Sequence, residues 1–199
     1  GKINGNANID MSNAQYVYNA NLQTKELDLK PILSNSLILN SDLQIKGKGT
    51  ELKSLEADVV FNADNSSLNG MKINAFEINS NIKNQILDVT LDSYSDSVNL
   101  YIHSNVDFAD EKNPIYNLNA ILNNVNLQFL LNDSTYNSDF HFLVEGKGEG
   151  IDIDKLNADL SIKLFDSYYQ KRKLDDIKLD LFVRSTEDDN KDISLKSSF

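Results

Sequence analysis

Apolar and polar residues alternate one for one along most of this 199-residue chain. Ala57, Val59, Phe61 and Ala63 are separated by Asp58, Val60 and Asn62, and Val98, Leu100, Ile102, Ser104, Val106 and Phe108 carry the pattern further. It returns at Phe140, Phe142 and Val144, at Leu156, Ala158, Leu160, Ile162 and Leu164, and at Ile177, Leu179, Leu181 and Val183. Successive side chains of a strand point to opposite faces, so a period of two gathers each apolar series on one face and leaves Asn, Asp, Lys and Ser on the other.

The breaks in the pattern are turn chemistry: ADNSSLNG before Met71, KNQ at Lys83 to Gln85, SYSDS at Ser93 to Ser97, ADEKNP ending at Pro114, and STEDDNKD at Ser185 to Asp192. They divide the chain into about twelve strands of roughly eight to twelve residues, joined mainly by hairpins. Two stretches could be helical, Leu27 to Leu33 and Val125 to Leu131, and both are too short to cover a sheet. A sandwich needs a second inward face and an α+β fold needs amphipathic helices, and this chain supplies neither. The expectation is therefore all-β: one long curled antiparallel sheet that covers itself, with an apolar trough inside and a polar exterior.

The chain also repeats itself. Gly47-Lys48-Gly49 aligns with Gly146-Lys147-Gly148, 99 residues on, while Leu55, Ala57 and Asp58 align with Leu156, Ala158 and Asp159 at 101. YNANLQTKELDLKPIL from Tyr18 resembles YNLNAILNNVNLQFLL from Tyr116, with Ala20 and Ala120 lying 100 apart, and INAFEINSNI from Ile73 matches LDDIKLDLFV from Leu174. Four blocks in the same order imply two tandem copies, approximately 1–100 and 101–199, of one stacking unit. No Pro/Gly/Ser-rich linker separates them, so a single continuous domain over 1–199 is expected. The Gly-x-Gly pairs lack the spacing of a phosphate loop or a dinucleotide fingerprint, because Leu52 and Ile151 stand where a third Gly would be needed. They read instead as strand ends where a curled sheet bends or bulges, with Lys48 and Lys147 in solvent.

A formal charge of −11 and a pI near 4.5 argue against nucleic acid as a partner and against electrostatic docking on anionic lipid. Any membrane-related role then has to work through apolar surface. With no Cys there are no disulfides or thiolate metal sites, which suits an envelope protein as well as a cytosolic one. No window approaches the ~18 apolar residues of a membrane span, and the first residues do not begin a signal sequence. The chain starts without Met and stops at Ser198-Phe199 within an alternating run, so a piece of a longer protein is expected, with any anchor outside it.

The stretch from Asp42 to Ser93 and the run VNLYIHSNVDFADEKNPIYNLNAILNNVNLQFLL from Val98 to Leu131 resemble the AsmA/TamB superfamily, TamB-like proteins of Bacteroidota in particular. The shared elements are a Gly-x-Gly after an alternating strand, then L-x-x-L-x-A-D, then NVDF…NPIYNLNAILNNVNL. The resemblance covers almost the whole chain. It implies a periplasmic protein tethered to the inner membrane by a helix outside this segment, with a repeating taco-like β-groove reaching toward the outer membrane. There it would work with a TamA-like barrel. The implied roles are outer-membrane protein assembly and secretion, and phospholipid traffic between the membranes.

The residues expected to line the groove are Val59, Phe61, Ile78, Val89 and Leu91 in the first copy. In the second they are Leu100, Ile102, Leu118, Phe140, Phe142, Leu160, Ile162, Leu179 and Leu181. The expected ligand is a phospholipid or another acyl chain. Chemistry is not expected. His103 and His141 fall on the polar face, away from any converging ligand set. Asp152 and Asp154, and Glu187-Asp188-Asp189, lack a Ca²⁺-loop pattern, and no G-x-S-x-G elbow appears. No enzyme activity, cofactor or metal is assigned. The alternative is an adhesin or carbohydrate-binding module that uses the Asn-rich face, with Tyr94 or Tyr168-Tyr169 as stacking platforms.

Overall fold

The computed structural model describes the chain except residues 13–14, 34–35, 132, 151, 153–155, 187–190 and 199. The protein is all-β, 72% strand and 4% helix, so no helical layer is available to cover a sheet. It divides into two compact units, Gly1–Asp96 and Ser97–Phe199, close to the copy boundary read from the sequence.

The first unit is a six-strand antiparallel meander: β1 (Lys2–Asp10), β2 (Val17–Asp28), β3 (Leu37–Lys48), β4 (Glu56–Leu68), β5 (Met71–Lys83) and β6 (Ile86–Ser95). The second is built alike, from β7 (Asn99–Asp107), β8 (Ile115–Val125), a helix α1 (Leu127–Leu131), a 3-10 turn (Ser134–Tyr136), β9 (Ser138–Glu149), β10 (Asn157–Tyr169), the two-residue β11 (Arg172–Lys173), β12 (Ile177–Ser185) and β13 (Lys191–Ser198). β1 and β13 each have one strand neighbour, so the meander stays open. Leaving out β11, the strands run from eight to thirteen residues, slightly longer than expected.

Turn chemistry places the hairpins. Asn69-Gly70, Asn84-Gln85 and Gln170-Lys171 all have positive φ at both residues, the type I′ geometry whose twist matches that of the flanking strands. Strand β4 runs on through Ala63 to Leu68, so the turn expected across ADNSSLNG is confined to Asn69 and Gly70. The two connections expected to be helical differ. Residues 127–131 form α1, whereas Leu27 and Asp28 belong to β2 and are followed by a single turn closed by Leu33 N–H to Leu29 O, 2.8 Å.

The bulges do not fall on the glycines. Four sit at Glu26 on β2 and Asn65 on β4, and again at Asn124 on β8 and Asp166 on β10, each at positive φ beside a register shift, and a further shift falls at Asn74 on β5. Gly146 and Gly148 instead lie inside β9, fully paired. A polar Asn, Asp or Glu tolerates the left-handed region better than a β-branched residue does, and each inserted residue bends its strand and shifts the alternation by one. Behind two of these bulges lies the same buried serine. Ser66 Oγ accepts the Asn40 N–H at 3.0 Å and Ser167 Oγ accepts the His141 N–H at 2.9 Å; both serines are 1% exposed. Ser167→Ala strands that amide without a partner and is expected to destabilise by about 1–3 kcal/mol in urea titration, more than truncation of an exposed serine does.

The structural correspondence corrects the glycine alignment. A Cβ on Gly47 would lie 2.6 Å from the Tyr18 ring, and one on Gly148 would lie 2.6 Å from the Tyr116 hydroxyl. In each unit, then, a cross-strand Tyr covers a bare glycine, and burial there raises the Tyr116 phenol pKa. Gly49 and Gly150, both at positive φ, donate their N–H groups to Tyr16 O and Pro114 O. Gly47 and Gly49 therefore correspond to Gly148 and Gly150, at the 101-residue spacing of the blocks that follow. Tyr18 and Tyr116, not Ala20 and Ala120, are the matched residues of β2 and β8. Asp10 and Asp107, accepting from Ser12 N–H and Ala109 N–H at 2.8 Å each, open matched loops. Hydrogen bonds from Ser12 hold the Asp10 carboxyl below its ordinary pKa.

Candidate functional site

Register turns the alternation into rows that cross the strands. In the first unit Leu22, Leu43, Phe61, Ile78 and Leu91 face one another in succession from β2 to β6. Beside them runs Ala20, Ile45, Val59, Ser80 and Val89, and Phe61 meets Phe76 edge-on at 6.0 Å. In the second unit the rows are Leu100–Leu122–Phe142–Leu164–Ile177, Ile102–Ala120–Val144–Ile162–Leu179 and Leu118–Gly146–Leu160–Leu181–Leu195. Phe140 lies past the β8 bulge on the same face of β9, edge-on to Phe142 at 6.1 Å and stacked on Tyr169 at 6.4 Å. All the residues expected to line a groove thus stand on the apolar face of their own unit.

That face is not sealed. Among the described residues the buried apolar side chains are Ala63, Ala120, Val125 and Pro114, and Phe61, Ile78, Leu100, Phe142 and Leu160 are half-buried while Leu179 is exposed. At the edges Ile3 and Ile9 on β1, and Ile193 and Leu195 on β13, are exposed. Rows of leucine, valine and phenylalanine that remain in contact with water are a surface suited to apolar ligands.

The opposite face is a polar ladder. Gln23 donates to Asp42 at 2.8 Å, Asn81 to Asp58 at 2.6 Å, Asn117 to Asn105 at 3.1 Å and Asn157 to Glu149 at 3.0 Å. Lys48 pairs with Glu56 at 3.2 Å, and Asp159 takes both Arg184 and Lys147. Shallow concavities open on this side: one of about 450 Å³ in the second unit, between Glu145, Lys147, Asp159, Asp180 and Phe182, and one of about 560 Å³ in the first, between Asn4, Gln23, Lys25 and Asp42. In the former, Arg184 and Lys147 hold Asp159 and Lys178 holds Asp180, whose pKa is lowered by hydrogen bonds from Lys178 and Ser161.

Both histidines stand on the polar face. His103 lies opposite Asn119; His141 contacts Asn123 at 3.0 Å and Asp139 at 3.4 Å, with its ring against Phe165. No group of three potential ligands that could hold a metal occurs among the described residues. Asp154 and Glu187-Asp188-Asp189 lie outside those residues.

The alternation misses one feature of this face. Tyr101, Ile121 and Leu143 form a cross-strand row on the polar side of the second unit, continued by Lys163 and Lys178. Their own alternation, in phase with the polar residues, was the available signal. No described helix is long and apolar enough to cross a membrane.

Each unit is thus an open antiparallel β-meander with an uncovered apolar face. No family model matches the chain, and no curated protein or solved structure is found similar to it.

Proposed function

We propose that this chain is a segment of an AsmA/TamB-like envelope protein of the periplasm, whose apolar sheet faces hold lipid acyl chains in passage between inner and outer membranes or assist outer-membrane protein assembly and secretion. The observation that carries the reading is the set of cross-strand rows of Leu, Val, Ile and Phe left half-open in both units. Removing such a surface from water is favourable by roughly 25 cal/mol per Å² of apolar area, and an acyl chain supplies matching area without needing polar partners. In this reading the protein works without cofactor, as a binding surface and not an enzyme; a tether outside the segment and a TamA-like barrel complete the system.

Photo-crosslinking from positions 59, 100 and 179 on the apolar face, against 58, 99 and 180 on the polar face, tests the reading. Lipid adducts are expected in the first set alone and should persist at high salt, since apolar burial drives them. Folded protein without adducts in either set would remove the lipid reading.

One observation favours a second reading. Tyr94 and Tyr168 stand on the polar faces, 54% and 39% exposed, where a carbohydrate-binding module would want stacking platforms. Retention on a glycan array that Tyr94→Ala and Tyr168→Ala abolish would establish it.

A further inference from the structure

We propose that one end of the second unit, formed by α1, the 3-10 turn and the β10–β11 hairpin, docks on an anionic bilayer surface. Helix α1 buries none of its residues. Phe129, Leu130 and Leu131 are 51%, 46% and 56% exposed, and Tyr136 in the following turn is exposed as well. A five-residue helix in a connection between strands has no second layer to pack against, so these side chains remain in water.

Beside them stands the chain's only run of three consecutive cations, Lys171-Arg172-Lys173. The hairpin that carries it is fastened to the same end: Gln170 N–H donates to Asn137 O and Gln170 Nε2 donates to Thr135 O, both at 2.9 Å. Lys173 is compensated by Asp166 at 2.9 Å. Lys171 and Arg172 are exposed and form no ion pair among the described residues. Of the acids at this end, Asp133 accepts from Thr135, Asp139 faces His141 and Asp176 pairs with Lys163, while Asp175 stands two residues past the cation run. Two cations outside the ion pairs thus sit on a hairpin bonded to the turn that follows an uncovered Phe-Leu-Leu cluster, in a chain whose overall charge is −11.

The matched end of the first unit exposes Ile32 and Leu33 beside Lys30, and its hairpin turn Asn69-Gly70 is followed by Lys72 where the second unit has three consecutive cations. Apolar side chains that enter the acyl boundary and cations that meet lipid phosphates are the two components of interfacial binding, and the second unit combines more of both at this end. The charge of −11 argues against docking by the surface at large, and the proposal is confined to this end because charges farther off than a Debye length of about 8 Å are screened. This proposal is independent of the acyl-chain reading, since it uses other residues and an intact bilayer.

Phe129→Trp gives the chain its only tryptophan and places the reporter at the proposed contact. With vesicles of phosphatidylcholine mixed with phosphatidylglycerol, its emission is expected to shift to the blue and to be quenched by brominated acyl chains. Pure phosphatidylcholine should give a much weaker response. Lys171→Ala with Arg172→Ala should weaken binding to the mixed vesicles by roughly 25-fold, at about 1 kcal/mol per cation. Leu130→Ser with Leu131→Ser should weaken it on both compositions, and circular dichroism checks that each variant keeps its β signal. The proposal is overturned by unshifted emission on anionic vesicles, by binding indifferent to the loss of both cations, or by a blue shift that follows protein concentration without vesicles, which would mark self-association. Loss of crosslinks at positions 59, 100 and 179 leaves this result untouched, so the two readings fail separately.

Discussion

Ala120→Asp is expected to unfold the second unit's sheet. Ala120 is 5% exposed and lies between Ile102 on β7 and Val144 on β9, so a carboxylate there loses its water and gains no donor. An unpaired buried charge of this kind costs at least about 3 kcal/mol, a large share of the ~5–15 kcal/mol that holds a whole domain together. Urea denaturation followed by circular dichroism should show the loss. Asn117→Asp puts the same side chain on the other face of the same strand, opposite Lys147, and should stay within about 0.5 kcal/mol. Equal tolerance at the two positions would mean that the apolar rows do not hold the sheet. Phe61→Asp should fall between them, because its half-buried site leaves the new charge partly hydrated.

Gly49→Ala should cost about 3 kcal/mol or more, read as a drop in the urea midpoint. Gly49 sits at φ +77°, which costs an L-residue roughly 1–2 kcal/mol, and its added Cβ would collide with the backbone oxygen of Ser54. Gly70, at φ +84°, has nothing within 4 Å of the same atom. Gly70→Ala should therefore show the conformational cost alone, about 1–2 kcal/mol, and the difference between the two variants isolates the clash. Similar losses in both would leave no role for the close approach of residues 49 and 54.

The strands were legible because alternation is a local signal that burial enforces. Phe61 and Leu160 needed only their neighbours in sequence to be assigned to a face. Bulges were not legible, since Glu26, Asn65, Asn124 and Asp166 are ordinary polar residues and their left-handed backbone follows from pairing with another strand. The glycines misled for a related reason. The triplet at Gly146-Lys147-Gly148 matches Gly47-Lys48-Gly49 letter for letter, but the tyrosine that lies over Gly148, like the one over Gly47, comes from the preceding strand, and no local alignment contains it. On the polar face, Tyr101, Ile121 and Leu143 went unassigned because each has polar residues two positions away on its own face, Asn99 and His103, Asn119 and Asn123, His141 and Glu145, and they meet only through the register. The exposure of Phe129, Leu130 and Leu131 was hidden too: three adjacent apolar residues look like core until it is known that nothing packs over them.

The up-and-down connectivity bears on how the protein acquires its structure. Apart from the short β11, each strand within a unit hydrogen-bonds to the strands next to it in sequence. Contacts of short sequence separation carry a small loop-closure cost, so such a sheet can grow hairpin by hairpin, faster than a Greek key of equal size. Among the described residues no pairing of β1 with β13 closes the sheet. Cooperativity has to come from each strand's grip on the one before it, and β1 and β13, whose residues are almost all exposed, are gripped by one neighbouring strand each.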